Sequence, residues 1–371
     1  MKTHRILPLA GVLASWLIAA CSGDSSPAPA ASRAGGASTS ATTTTSSTGN
    51  AGTSTVATGG GGGSAGGTGG GPSAAFVSHF DLSQGQLPEG LAITNGVPYV
   101  GLAVTSQIAK VNVADGTLTQ FATLPKPAPN TGFMTGLALS AQDPGVVYAA
   151  LVSFMPDTQA GIYRVGAAGG AATLFAKDPA MIFPNGLIAD DAGNWFVADS
   201  NAGAVFRISP NGQTVAKWAA DDLLAGDKDK SCASAKGAGL PFNIGANGIA
   251  KNGDSFYVTN TDKGLIARIP VMSDGSAGKV ALFAGPDCDK LGGADGLTSR
   301  GTALYAADNF QNQVVRIAPS GDVSVVTSGD PLDFPASLTF DGDSLFVTNF
   351  AFLNAQAMKG NPGLIRITGA Q

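Results

Sequence analysis

Histidine is almost missing from these 371 residues: His4 and His79 are the only two. A copper or structural zinc centre built on imidazole has almost nothing to draw on. Positive charge is also thin, with 21 Lys and Arg against 26 Asp and Glu, a net charge of −5, and only 13% of side chains charged. No basic face is therefore available for nucleic acid or anionic lipid. Helical periodicity is missing throughout, which leaves strands and turns.

Glycine is what the chain has in excess, 52 residues in all. Many fall in the first 75 positions among Ser, Thr and Ala, with few large apolar side chains. Such a stretch cannot bury enough surface to offset its chain entropy, so the folded unit is expected over residues 75–371.

Before it, Lys2, His4 and Arg5 precede an apolar run from Ile6 to Ala20, the profile of an export signal and too short for a spanning helix. The run ends Ile18-Ala19-Ala20-Cys21, which resembles a bacterial lipobox. That resemblance implies cleavage after residue 20, acylation of Cys21, and a membrane-anchored exported protein, at the outer membrane or cell surface. An ordinary signal peptide cut after Ala20 is the alternative. Residues 21–74 then read as a low-complexity linker, including Thr42 to Thr45 and Gly59 to Gly63. As a random coil its reach is about 40 Å. The membrane enters only through the lipid, and the chain is expected to be a monomer.

Six segments repeat along the remainder. Each carries a polar-Gly-aliphatic turn or its variant: Glu89-Gly90-Leu91, Thr135-Gly136-Leu137, Asn185-Gly186-Leu187, Asn247-Gly248-Ile249, Asp295-Gly296-Leu297 and Ala336-Ser337-Leu338. Their spacing is that of a four-stranded propeller blade. Two strand signals follow each turn, as in Trp195-Phe196-Val197-Ala198-Asp199 and Ala204-Val205-Phe206-Arg207-Ile208. The last repeat stops after its third strand, Gly363 to Ile367, while Ala75 to Phe80 stands alone before the first. The expected fold is all-β, a six-bladed β-propeller closed by pairing the N-terminal strand with the last blade. A β-sandwich is the competing architecture.

Innermost strands of a propeller run side by side around a channel, so equivalent positions converge at one mouth. Glu89, Thr135, Asn185, Asn247, Asp295 and Ala336 then supply two carboxylates and two amides to one place. Hard oxygen donors of this kind suit Ca²⁺ or Mg²⁺.

The pattern of Glu in the first blade, Asn in the third and fourth, and Asp in the fifth resembles the gluconolactonase and regucalcin (senescence marker protein) family. The resemblance implies that Glu89, Asn247 and Asp295 hold a divalent cation, Ca²⁺ first, with Mg²⁺, Mn²⁺ or Zn²⁺ as alternatives. It implies that Asn185 lies beside the metal or substrate, and that the chemistry is hydrolysis of a lactone or related ester. Asp295 would be the general base or nucleophile. Thr135 is a candidate substrate contact or a turn hydroxyl. A non-catalytic tethered propeller that binds a ligand or protein partner is the alternative. The histidine pair of the related paraoxonases has no counterpart, and His79 reads as a surface residue.

Cys232 and Cys288 precede motif turns of adjacent blades, and in an oxidising compartment they are expected to pair. The insert Asp221 to Gly245 would be a lid or a plain surface loop. Phe133, Met134, Phe154, Met155, Phe183, Phe242, Phe310 and Phe350 stand near the turn-bearing side, where some could line an apolar pocket and most are expected to pack blades. Asp199, Asn260, Asp308 and Asn349 are expected to cap hairpins.

Overall fold

A computed structural model describes residues 71–229, 231–232, 242–355 and 357–370. The expected signal, the Cys21 acylation site and most of the linker lie outside the described residues, as does the centre of the insert.

Each blade is built on four antiparallel strands that run from the channel outward; blade one gains a fifth, the short Gly170–Ala171, paired parallel to its outer strand Leu118–Thr123. Blade three shows the pattern: Pro184–Ala189 innermost, then Trp195–Asp199, Ala204–Ile208 and Val215–Ala220. Nearly continuous apolar runs build its two middle strands, which are buried on both faces, and turn chemistry joins the strands. In blade one, for example, Asn95 and Gly96 take φ of 51° and 74° between strands Pro88–Thr94 and Val97–Leu102. Positive φ at both central residues matches the right-handed twist of a tight hairpin.

Ring closure follows the expected route. The strand Ser73–His79 pairs antiparallel with the final strand Gly363–Thr368, which makes it the outer strand of blade six. A free edge is thereby covered. The innermost strands also touch in sequence around the circle, from the first blade to the sixth and back.

Between blades, aromatic rings interleave. Tyr148 of blade two packs 4.2 Å from Trp195 of blade three, Phe196 sits 4.2 Å from Phe256 of blade four, and Tyr305 lies 4.9 Å from Phe340. A fully buried side chain of this size is worth roughly 1.5–3 kcal/mol, so these contacts carry much of the cohesion between neighbouring sheets.

The six motif positions are not turns. Each lies inside an innermost strand, at a shift in register: Pro88 to Leu91, Met134 to Leu137, Pro184 to Leu187, Ala246 to Ile249, Ala294 to Leu297 and Pro335 to Leu338. A bulge of this kind re-aims one side chain out of the regular alternation. Here it does so six times at the same end of the channel.

Candidate active site

The motif glycines let neighbouring inner strands close in on one another. A Cβ added to Gly186 would sit 2.6 Å from the carbonyl oxygen of Asn247, and one on Gly136 would sit 2.5 Å from that of Asn185. The same relation repeats around the ring, from Gly90 to Thr135, Gly248 to Asp295 and Gly296 to Ala336. Thr135, Asn185, Asn247, Asp295 and Ala336 are thus each seated over the glycine of the preceding blade, where only a residue without a side chain fits; before Glu89 the ring has Ser337 in that place.

Hydroxyl groups fix how these residues face. Thr259 accepts from the Gly248 amide at 2.8 Å and donates to the Asp295 carbonyl at 2.7 Å, crossing from blade four to five. Thr348 does the same with the Ser337 amide and the Glu89 carbonyl. Thr135 donates its hydroxyl proton to the Pro184 carbonyl at 2.7 Å. That proton therefore joins blades two and three.

The amide side chains are oriented by a second set. The Ser200 hydroxyl donates to the Ala246 carbonyl at 2.9 Å and so must accept from Asn185 Nδ2, 3.3 Å away. The Thr261 hydroxyl donates to the Ala294 carbonyl at 2.7 Å and accepts from Asn247 Nδ2 at 2.9 Å. With their nitrogens held in this way, both asparagines keep their oxygens for something else. Asn309 Nδ2 donates to Asp295 Oδ2 at 3.1 Å. Sequence reasoning did not single out Ser200, Thr261 or Asn309. The available signal was their position, one residue after Asp199, Asn260 and Asp308.

What remains is a set of buried acceptors with nothing to accept. Glu89 Oε2, Asn247 Oδ1 and Asn309 Oδ1 are all buried without a hydrogen-bond partner. Leaving such groups bare costs roughly 1–3 kcal/mol each. Burial, and then the charge of Asp295, push the Glu89 carboxyl well above its ordinary range. Burial pushes Asp295 up to about 7, against the hydrogen bonds from Asn309 and Asn247. Glu89, Asn247 and Asp295 are therefore brought within mutual influence, and all three are at least 93% buried, as is Asn185.

An acceptor-only group of carboxylate and amide oxygens is the chemistry a hard divalent cation requires. Among the described residues no three His, Cys, Asp or Glu side chains gather in a metal-holding group. The set here is two carboxylates completed by amides, which fits Ca²⁺ far better than a soft transition metal.

The remaining expectations can be placed. Cys232 and Cys288 form a disulfide with a Cα separation of 5.0 Å. Asp199 accepts from the Phe183, Asn201 and Ala202 amides, and so caps its hairpin while holding the entry to the inner strand. Asn260 caps its hairpin by accepting from the Lys263 amide and donates to the Ala225 carbonyl, whereas Asn349 accepts from the Asp333 amide before the inner strand and donates to the Pro331 carbonyl. Exposed on the outer strand, His79 stacks on Phe76 at 3.9 Å.

No family model matches the sequence, and no curated protein does. Solved structures do. A gluconolactonase from Xanthomonas campestris aligns with a TM-score of 0.57 at 19% identity, covering 80% of this chain and 89% of its own. The calcium-binding protein regucalcin from Agrobacterium tumefaciens aligns with a TM-score of 0.54 at 18% identity, over 76% and 90%. A pyrroloquinoline quinone-bound aldose sugar dehydrogenase from Streptomyces coelicolor reaches 0.57 at 16%, over 80% and 98%. At these identities the shared property is the fold: the chain is a six-bladed β-propeller of the architecture seen in gluconolactonase and regucalcin.

Proposed function

We propose that this protein is a divalent-metal-dependent hydrolase acting on a lactone or related ester. The observation that carries the reading is the cluster of buried, unpartnered acceptor oxygens on Glu89, Asn247 and Asn309 beside Asp295. Glu89, Asn247 and Asp295 would hold the cation, with Asn185 and Asn309 at its margin. When bound, the cation would supply polarisation of the substrate carbonyl and acidification of water.

The chain's own residues supply the rest. Asn309 holds Asp295 at Oδ2, and the Asp295 carboxylate takes a proton from water as the water oxygen adds to the carbonyl carbon. The bond from that carbon to the ring or ester oxygen then breaks, and the proton passes to the departing oxygen. The products are a hydroxy acid, or an acid and an alcohol. Thr259 and Thr348 hold the backbones of Asp295 and Glu89, so that neither carboxylate has to be ordered during the reaction. Attachment to a membrane through Cys21 belongs to the same proposal and would place the activity outside the cytoplasm.

The test is hydrolysis of a lactone and ester panel by the full chain, stripped with chelator and resupplied with Ca²⁺, Mg²⁺, Mn²⁺ or Zn²⁺. Turnover that requires the cation and disappears in Asp295→Ala supports the reading. A melting temperature raised by the cation without any turnover would identify a structural metal in a binding propeller.

A further inference from the structure

The polar ring lies below an aromatic collar. Each innermost strand pairs antiparallel with its neighbour, so residues before the one and after the other emerge at the motif-bearing end. Phe133, Phe183 and Phe334 precede bulges, and Phe154, Phe310 and Phe350 follow the paired strands.

These rings form two arcs. In one, Phe183 stands 5.5 Å from Phe133, 6.0 Å from Phe154 and 5.4 Å from Phe242. In the other, Phe334 stands 5.4 Å from Phe310, 6.1 Å from Phe350 and 5.8 Å from Phe352. A single apolar cluster joins the arcs, taking in Phe334, Phe350 and Ala336 with the half-buried Phe133 and Phe310. Ala336 is itself the sixth member of the ring and the one without a polar side chain. The collar therefore descends to the ring through blade six.

Blade packing does not account for it. Interfaces between blades are filled by other side chains, such as Trp195, Phe196 and Phe256. On the collar, Phe154, Met155 and Ile182 remain 36%, 44% and 37% exposed. Large apolar side chains gathered at the rim of a polar site mark a binding surface.

Building on the hydrolase reading, we infer that the substrate carries an extended apolar arm, alkyl or aryl, beside its lactone or ester carbonyl, and is not a polyhydroxylated sugar lactone. A sugar lactone would give up water to phenylalanine faces that return no hydrogen bonds. An alkyl arm gains from the same surface, by about 4-fold in kcat/KM per buried methylene.

The experiment uses the cation-loaded full chain and γ-lactones bearing methyl to hexyl substituents, with glucono-1,5-lactone for comparison. We expect kcat/KM to climb with chain length, the sugar lactone to be poorest, and Phe133→Ser and the more exposed Phe154→Ser to flatten the slope. In parallel, calorimetry measures binding of the matching alkyl lactams, which are not turned over. Chain-dependent lactam binding without lactone turnover would sink the hydrolase reading and leave the apolar site standing. Lactone turnover independent of chain length, or fastest on the sugar lactone, would overturn the inference and leave the hydrolase intact.

Discussion

Thr348 and Glu89 lie 259 positions apart in the chain and meet at 2.8 Å, the threonine hydroxyl donating to the glutamate carbonyl. The contact joins the last blade to the first at the residue proposed to bind the cation. Thr348→Val removes the donor to a buried carbonyl and should cost about 1–3 kcal/mol of stability. It should also weaken Ca²⁺ binding, and Thr348→Ser should restore both. Chemical denaturation and a calcium titration would show this. Unchanged calcium affinity would separate ring closure from the site.

Glu89 and Asp295 repel one another when no cation stands between them. Glu89→Gln should therefore stabilise the metal-free protein, by about 1 kcal/mol, and abolish the stabilisation that Ca²⁺ confers. Melting curves with chelator and with calcium test both halves. Destabilisation in chelator would show that the two carboxylates do not share a site.

Asn309 donates to Asp295 and keeps its own oxygen unpaired. Asn309→Leu is close in size and removes both functions. We expect cation affinity to fall about 10- to 100-fold, as for other groups that orient a metal ligand, with little change in the circular dichroism of the fold.

Burial raises four carboxyls: Asp199 to about 6, Asp295 and Asp308 to about 7, and Glu89 well above its ordinary range. Between the ordinary carboxylate range and pH 7 the folded state thus holds protons that the unfolded chain has released. Stability of the metal-free protein is therefore greatest at low pH within this window and falls as pH rises through about 6 to 7. With Ca²⁺ present the trend should weaken or reverse, because the cation takes the place of protons on Glu89 and Asp295. Melting temperatures from pH 5 to 8, with and without calcium, would decide it. A metal-free protein that gains stability across this range would contradict the assignment.

Gly186→Ala places a methyl group 2.6 Å from the Asn247 carbonyl oxygen. Overpacking of this kind costs about 1–3 kcal/mol, and the displaced strand carries a proposed ligand. Loss of calcium affinity in excess of the loss of stability is the expected signature.

Much of the fold was legible because six repeats of blade length impose their own architecture, and the orphan strand Ala75 to Phe80 had one sheet to complete. The nature of the motif was not. Asn-Gly and Asp-Gly read locally as turns, whereas a bulge exists only relative to the strand it pairs with, and no local pattern reports that register. The candidate ligands were found through their alignment across repeats. Ser200, Thr261 and Asn309 were missed because a hydroxyl or amide beside a hairpin looks like ordinary turn chemistry. Their role depends on contacts with an adjacent strand or the next blade, such as Ser200 to Ala246.

Closure of the ring also sets an order of events during synthesis. The strand Ser73–His79 leaves the ribosome before all the blades and finds its partner only when Gly363–Thr368 has followed. The strand Ser344–Asn349, which carries Thr348 and its tie to Glu89, pairs directly with Gly363–Thr368, so the seam beside the first blade rests on the strand that arrives last. A chain truncated within its final strand would lose more than the edge of one sheet, because the seam it fails to close runs through the residue on which the proposed chemistry depends.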